Sequence, residues 1–120
     1  MERVAVIGAS DREDRYSYKA CQQLQEHGHE VFPVSPGGIA ILGRPGFTSI
    51  AEVPQPLDTV TLYVNPARLA PLFDELLAAK PKRVIFNPGT ESAEHQRRLE
   101  AAGIRAQVAC TLVLLATDAY

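Results

Sequence analysis

Four short stretches hold the residues best placed to do chemistry, and each stands directly after an apolar run. Residues 4–7 give way to Gly8-Ala9-Ser10-Asp11, then to a polar loop from Arg12 to Arg15 that leads to Ser17 at a predicted helix start. Glycine lets backbone approach a ligand closely, and the unpaired N–H groups of a loop and a helix start attract phosphate. Ser10 and Ser17 add hydroxyls. Arg12, Arg15 and Lys19 stand where cations would serve a diphosphate or a ribose phosphate, although surface charges of this kind are commonly only solvated. Tyr18 lies between them on the same predicted turn.

The second stretch is Val34 with Ser35-Pro36-Gly37-Gly38, the third Val64-Asn65-Pro66, and the fourth Asn87-Pro88-Gly89-Thr90 followed by Glu91. Asparagine amides and backbone groups beside apolar walls suit an adenine or another amide-bearing ligand, which needs hydrogen bonds more than charge. Each also has a structural explanation. Asn65 before proline is a helix cap, and Asn87-Pro88-Gly89 is a turn. The fingerprint GxGxxG of dinucleotide sites is absent, and no acid follows the second run to hold an NAD ribose, so NAD is disfavoured; Ser35 with a nearby arginine leaves NADP open.

Catalytic groups are harder to find. His27 and His29 flank Gly28, the predicted end of the first helix and the far edge from the loops above, where they suit the helix dipole. His95 falls on a polar helical face, and Cys21 within a helix face. Cys110-Thr111 follows the last apolar run and opens a helix at the ligand edge, a setting that lowers a thiol pKa, with core packing as its ordinary alternative. Glu13, Asp14, Glu91 and Glu94 form no pair that the sequence places, and no metal-ligand spacing occurs. No catalytic residue and no metal site are assigned, and a binding role is expected over an enzyme.

The elements that must position these residues follow from periodicity. Runs at 4–7, 31–34, 60–64, 84–86 and 106–108 are continuously apolar for most of their length, as strands covered on both faces are, and helical patterns alternate with them. Tyr18, Cys21, Leu24 and Gln25 mark the first helix. Leu69, Leu72, Phe73, Leu76 and Leu77 mark one apolar face of a helix after Asn65, and 91–102 is a third, ending at Gly103. Residues 111–119 read as a closing helix or a strand. The proline- and glycine-rich connection 35–56 is expected to hold a short strand at 39–42 and a helical turn at 49–52. The pattern predicts an α/β fold, a Rossmann-like three-layer αβα domain over residues 1–120 with an open, mostly parallel sheet of about five strands, and a site at the carboxyl ends of those strands.

With 12 basic and 14 acidic residues the net charge is -2, against the basic excess of a nucleic-acid binder. No apolar run approaches the roughly 20 residues of a membrane span, and the first residues do not form a signal peptide, so no nucleic acid or membrane partner and a cytoplasmic location are expected. Two cysteines, Cys21 and Cys110, permit one disulfide but, outside any CxxC pair, read as two buried thiols.

Gly8-Ala9-Ser10, Pro33-Val34-Ser35-Pro36, Leu42-Gly43, Ser49-Ile50-Ala51-Glu52-Val53-Pro54 and Tyr63-Val64-Asn65-Pro66, in that order, resemble the CoA-binding domain family of small bacterial proteins. The likeness extends over nearly the whole chain. It is also similar to the amino-terminal domain of the succinyl-CoA synthetase alpha subunit, through residues 34–37 and 42–47. The resemblance implies coenzyme A or an acyl-CoA as bound ligand, its diphosphate held by the Gly8 to Ser10 loop and the helix start. Ser35, Pro36 and the residues after Val64 and Phe86 would line the nucleotide and pantetheine path. The synthetase's phosphorylated histidine has no counterpart, so its ligase chemistry does not carry over and a carrier, sensor or regulatory module is expected. The alternatives are a nucleotide-dependent enzyme, NADP-linked or other, and a domain that keeps the fold and acts through protein contacts. Asn87-Pro88-Gly89-Thr90 and Val108-Ala109-Cys110-Thr111 depart from a Gln-Gly-like and an Asp-Arg-Cys-like stretch common in the family.

Overall fold

Five strands, four of them rich in β-branched and other apolar residues, form one sheet in the computed structural model, which describes residues 1–120. The strands are β1 (Arg3–Ile7), β2 (Glu30–Val34), β3 (Thr59–Leu62), β4 (Arg83–Phe86) and β5 (Arg105–Val108). All pairings are parallel, in the order β2-β1-β3-β4-β5, with Ile7 beside Val34 and Leu62, and Leu62 beside Phe86. The helices are α1 (Tyr16–Glu26), α2 (Pro66–Leu69), α3 (Phe73–Ala79), α4 (Ala93–Ala101) and α5 (Thr111–Ala116).

Strand alternation sorts the core into two layers. Val4, Val6 and Val31 meet Cys21 and Leu24 of α1 and Leu115 of α5 on one face. Ala5, Ile7, Phe32, Val60, Leu62, Val84 and Phe86 meet Leu69, Phe73, Leu76 and Leu99 on the other. This is the expected α/β Rossmann-like arrangement with helices on both faces of the sheet. No helix is long and apolar enough to cross a membrane.

Three local expectations are revised. The apolar pattern after Asn65 is not one helix: Pro71 lacks an N–H, and the segment divides into α2, a 3-10 turn over Ala70–Leu72, and α3. No strand forms at 39–42. Ile41 and Arg44 only exchange backbone hydrogen bonds across Leu42-Gly43, whose φ angles of 51° and 79° make a tight hairpin turn. The first helix buries Ser17, Ala20, Cys21 and Leu24, leaving Tyr18 and Gln25 at its margin. The turn near 49–52 is present as a 3-10 helix over Ile50–Glu52 capped by the Ser49 hydroxyl, and the closing segment is helical.

The two sheet edges differ. Along β2, Pro33 has no N–H to offer, its carbonyl accepts from Phe47 N–H, and Ser35 N–H donates to the Phe47 carbonyl. Along β5 nothing pairs on the outer side, and Val108 is 55% exposed.

Candidate functional site

Strand order reverses at β1, because the chain leaves it toward β2 and later returns on its other side as β3. The crevice beyond the carboxyl ends of β1 and β3 is therefore open to a ligand. Gly8 begins the loop there with φ at +89°, and a Cβ on it would lie 2.8 Å from the Tyr63 carbonyl oxygen. Only glycine fits this close pass of two chains.

The loop amides do not all face outward, which corrects one expectation. Gly8 N–H and Ala9 N–H both donate to the Val34 carbonyl, at 3.0 and 3.1 Å, and so tie the loop to β2. The Ser10 hydroxyl accepts from Arg12 N–H at 3.1 Å. The Ser10 N–H has no partner in the chain, and further free donors follow it. Arg15 is the N-cap of α1 and its side chain makes no capping hydrogen bond, while the N–H groups of Tyr16, Ser17 and Tyr18 have no partner in the chain. An eleven-residue helix thus presents an uncapped positive end.

That end opens on a cleft of about 540 Å³. The structure brings together there Gly8, Ala9, Ser10, Arg15 and Ser17 from the first segment, Pro36 from the second, Val64 and Asn65 from the third, and Pro88, Gly89 and Thr90 from the fourth. Asp14, Tyr16, Tyr63 and Arg68 line it too, unforeseen. Tyr63 and Arg68 flank the Val64-Asn65-Pro66 stretch, so the signal was proximity to a strand end. Arg68 sits one turn into α2, where Asn65 Oδ1 accepts its N–H at 2.8 Å; Asn65 both caps the helix and walls the cleft.

Other expected residues stand outside the cleft. Arg12 is exposed beside Asp14, at 3.5 Å. Lys19 lies over the Tyr16 ring at 5.5 Å, and Tyr18 packs against the core between α1 and the sheet. Val34 is buried and Ser35 is held by Phe47, so from this stretch only Pro36 reaches the cleft; Pro66 is taken up in the first turn of α2.

Asn87 is the sharpest correction. It is 2% exposed, and its amide nitrogen donates to Thr61 Oγ1 at 2.6 Å and the Leu62 carbonyl at 2.8 Å, while its amide oxygen accepts from Thr111 N–H at 2.8 Å. Its side chain joins β3, β4 and α5 and does not line the main cleft. Pro88 and Gly89, with φ at +90°, then turn the chain, closed by Thr90 N–H to the Asn87 carbonyl at 3.0 Å.

A smaller apolar cavity of about 260 Å³ adjoins the cleft, lined by Tyr16, Tyr63, Asn87, Pro88, Cys110 and Leu112. The buried Tyr63 hydroxyl, near Thr111 and Thr61 but without a well-formed hydrogen bond, is pushed up to about 12, by burial first and by the neighbouring Cys110 second. Cys110 is half-buried, so core packing alone does not describe it. Cys21 is buried, and its thiol is raised to about 12 by desolvation.

No histidine reaches the cleft. His27 Nδ1 donates to the Gln23 carbonyl at the end of α1, and His29 Nδ1 accepts from Glu2 N–H. His95, expected on a polar face, is instead 7% exposed and stacks on Phe73 with ring centroids 4.7 Å apart.

Residues 2–116 match the profile of the CoA binding domain. The chain belongs to that family. Among its relatives, YneT of Bacillus subtilis, an uncharacterized protein, is 34% identical over 102 residues, covering 85% of this chain and 76% of YneT. The ADP-forming acetate–CoA ligase I of Archaeoglobus fulgidus is 35% identical over 68 residues, which are 57% of this chain and 10% of the ligase. A crystal structure of another uncharacterized protein superposes with a TM-score of 0.95 at 39% identity, covering 100% of this chain and 98% of that one.

Proposed function

We propose that the chain binds coenzyme A or an acyl-CoA in this cleft without catalysing a reaction, as a carrier, sensor or regulatory module. The observation that carries the reading is the uncapped start of α1, opening onto a polar cleft at the switch point of the sheet with Arg15 and Arg68 on its walls. Three free N–H groups and the positive end of the helix dipole attract a diphosphate, and two guanidinium groups add fixed charge. Gly8, Ala9 and Ser10 bring the loop close beside it. Pro36, Val64, Asn65, Pro88, Gly89 and Thr90 then line the route for the nucleotide and pantetheine.

The ligase relative is named for a reaction on CoA, but the shared segment is a tenth of its length. That supports a shared ligand more than a shared reaction. A binding role is further supported by the placement of the histidines, which gives the cleft no imidazole base.

The test is calorimetry and thermal shift with CoA, acetyl-CoA, NADPH and ATP in parallel. CoA at about one hundred times its Kd should stabilise the fold by about 2.7 kcal/mol. Preference for NADPH would replace this reading by a nicotinamide-linked enzyme. No response to any of the four near a millimolar would leave a fold that works through protein contacts.

A further inference from the structure

The two adjoining cavities differ in chemistry. The main cleft carries two arginines, an aspartate, hydroxyls and the free amides of α1, whereas the annex is walled by tyrosine, proline, leucine and a thiol. Asn87, its one amide, has donor and acceptor already engaged within the fold. The annex therefore offers no charged partner to a ligand. Tyr16, Tyr63 and Pro88 are walls of both cavities. The shared walls give an uncharged arm, on a ligand held by its phosphates at the start of α1, a route from the cleft into the annex.

We infer that the annex takes the thioester end of the bound ligand and limits it to a short, uncharged acyl group. This rests on the CoA reading above and narrows it to a class of thioester. At about 30 Å³ for each water-sized group, the annex of about 260 Å³ admits about nine such groups. The cysteamine end with an acetyl or propionyl group fits within that space, whereas a hexanoyl chain would project beyond it. A carboxylated acyl group is disfavoured as well, because its charge would be buried with no partner.

Cys110 on the annex wall is a built-in reporter, and buried Cys21 is its internal control. The experiment is alkylation of the folded chain by iodoacetamide, followed at each cysteine by mass spectrometry. Saturating acetyl-CoA should slow labelling of Cys110 about tenfold or more, while adenosine 3',5'-bisphosphate, the head without the arm, should bind and leave it unchanged. Acetyl-CoA that binds by calorimetry yet leaves the Cys110 rate unaltered overturns the inference and spares the CoA reading. Failure of acetyl-CoA and CoA to bind removes both.

A second arm does not depend on thiol reactivity. Affinity across acetyl-, butyryl-, hexanoyl- and decanoyl-CoA should drop about tenfold or more once the chain outgrows the annex, and a flat series overturns the size limit. Leu112→Trp, filling the annex, should weaken acetyl-CoA by a similar factor while sparing the bisphosphate. Equal weakening of both ligands would place the arm elsewhere.

Discussion

Replacing Asn87 by alanine separates a structural asparagine from a ligand-binding one. The wild-type side chain satisfies the Leu62 carbonyl and Thr111 N–H, both main-chain groups, and donates to Thr61 Oγ1. Thr61 keeps its other bond, to Thr111 Oγ1 at 2.8 Å. The variant therefore orphans two backbone groups in a buried setting, at about 1–3 kcal/mol each. Water entering the enlarged annex recovers part of this, so the expected loss is about 2–4 kcal/mol. At about 4 °C per kcal/mol for a chain of this size, Tm should fall by about 8–16 °C. Asn87→Asp sharpens the test. A protonated carboxyl can accept from Thr111 N–H and donate to the Leu62 carbonyl, as the amide does, whereas a carboxylate cannot donate at all. Burial raises the introduced group's pKa in the folded state above its unfolded value of about 3.9. Stability relative to wild type is then greatest below that unfolded value and is lost as pH rises through the folded one. Urea unfolding from pH 4 to pH 8 reads both variants. A normal Tm for Asn87→Ala together with a collapse of CoA affinity would refute the reasoning and return Asn87 to the ligand.

The remaining expectations concern the loop, the cleft and the opposite edge of the sheet. Gly8→Ala places a methyl 2.8 Å from the Tyr63 carbonyl oxygen at a φ of +89°, so strain and overlap together should cost about 2–5 kcal/mol, seen as a lowered urea midpoint. Arg68→Glu should weaken CoA about tenfold or more and flatten the salt dependence of Kd, while thermal unfolding without ligand stays close to wild type because Arg68 is exposed. Ser10→Asp sets a carboxylate beside the phosphate position, and an unchanged affinity in a folded variant would remove this loop from the site. His29 is held below its usual pKa of 6.5, by burial first, and its neutral Nδ1 accepts from Glu2 N–H. Its contribution is full above pH 6.5 and is lost as pH falls through the folded value, so wild type should lose more Tm between pH 7 and pH 5 than His29→Gln does.

Most of the architecture was written in the periodicity of the chain. Buried strands, glycine helix stops and the Asn65-Pro66 cap are local signals, and each led to an element in the expected place, although β5, an edge strand, is not covered on both faces as its pattern suggested. What escaped depends on distant partners. Nothing near Val34 reveals that its carbonyl takes the amides of Gly8 and Ala9, because that bond exists only once β1 and β2 lie side by side. Asn87 reads as a turn or a ligand group until Thr61, Leu62 and Thr111 are brought around it. Tyr16 and Tyr63 were overlooked because tyrosines at a helix start and a strand end look like packing residues. Pro71 was legible by its chemistry alone, but the strong apolar spacing around it suggested a continuous helix.

The contrast between the two sheet edges bears on how the protein behaves when concentrated. A strand edge with free N–H and C=O groups is a template for another strand, and at β2 a proline and the bridge to Phe47 blunt that template. At β5 the safeguards are its shortness and the charge of Arg105, with Val108 bare at the end of the strand and Val113 exposed on the following helix. Self-association in crowded solution should therefore start on the β5 side. A lysine in place of Val108 would be the first change to make for a more soluble preparation.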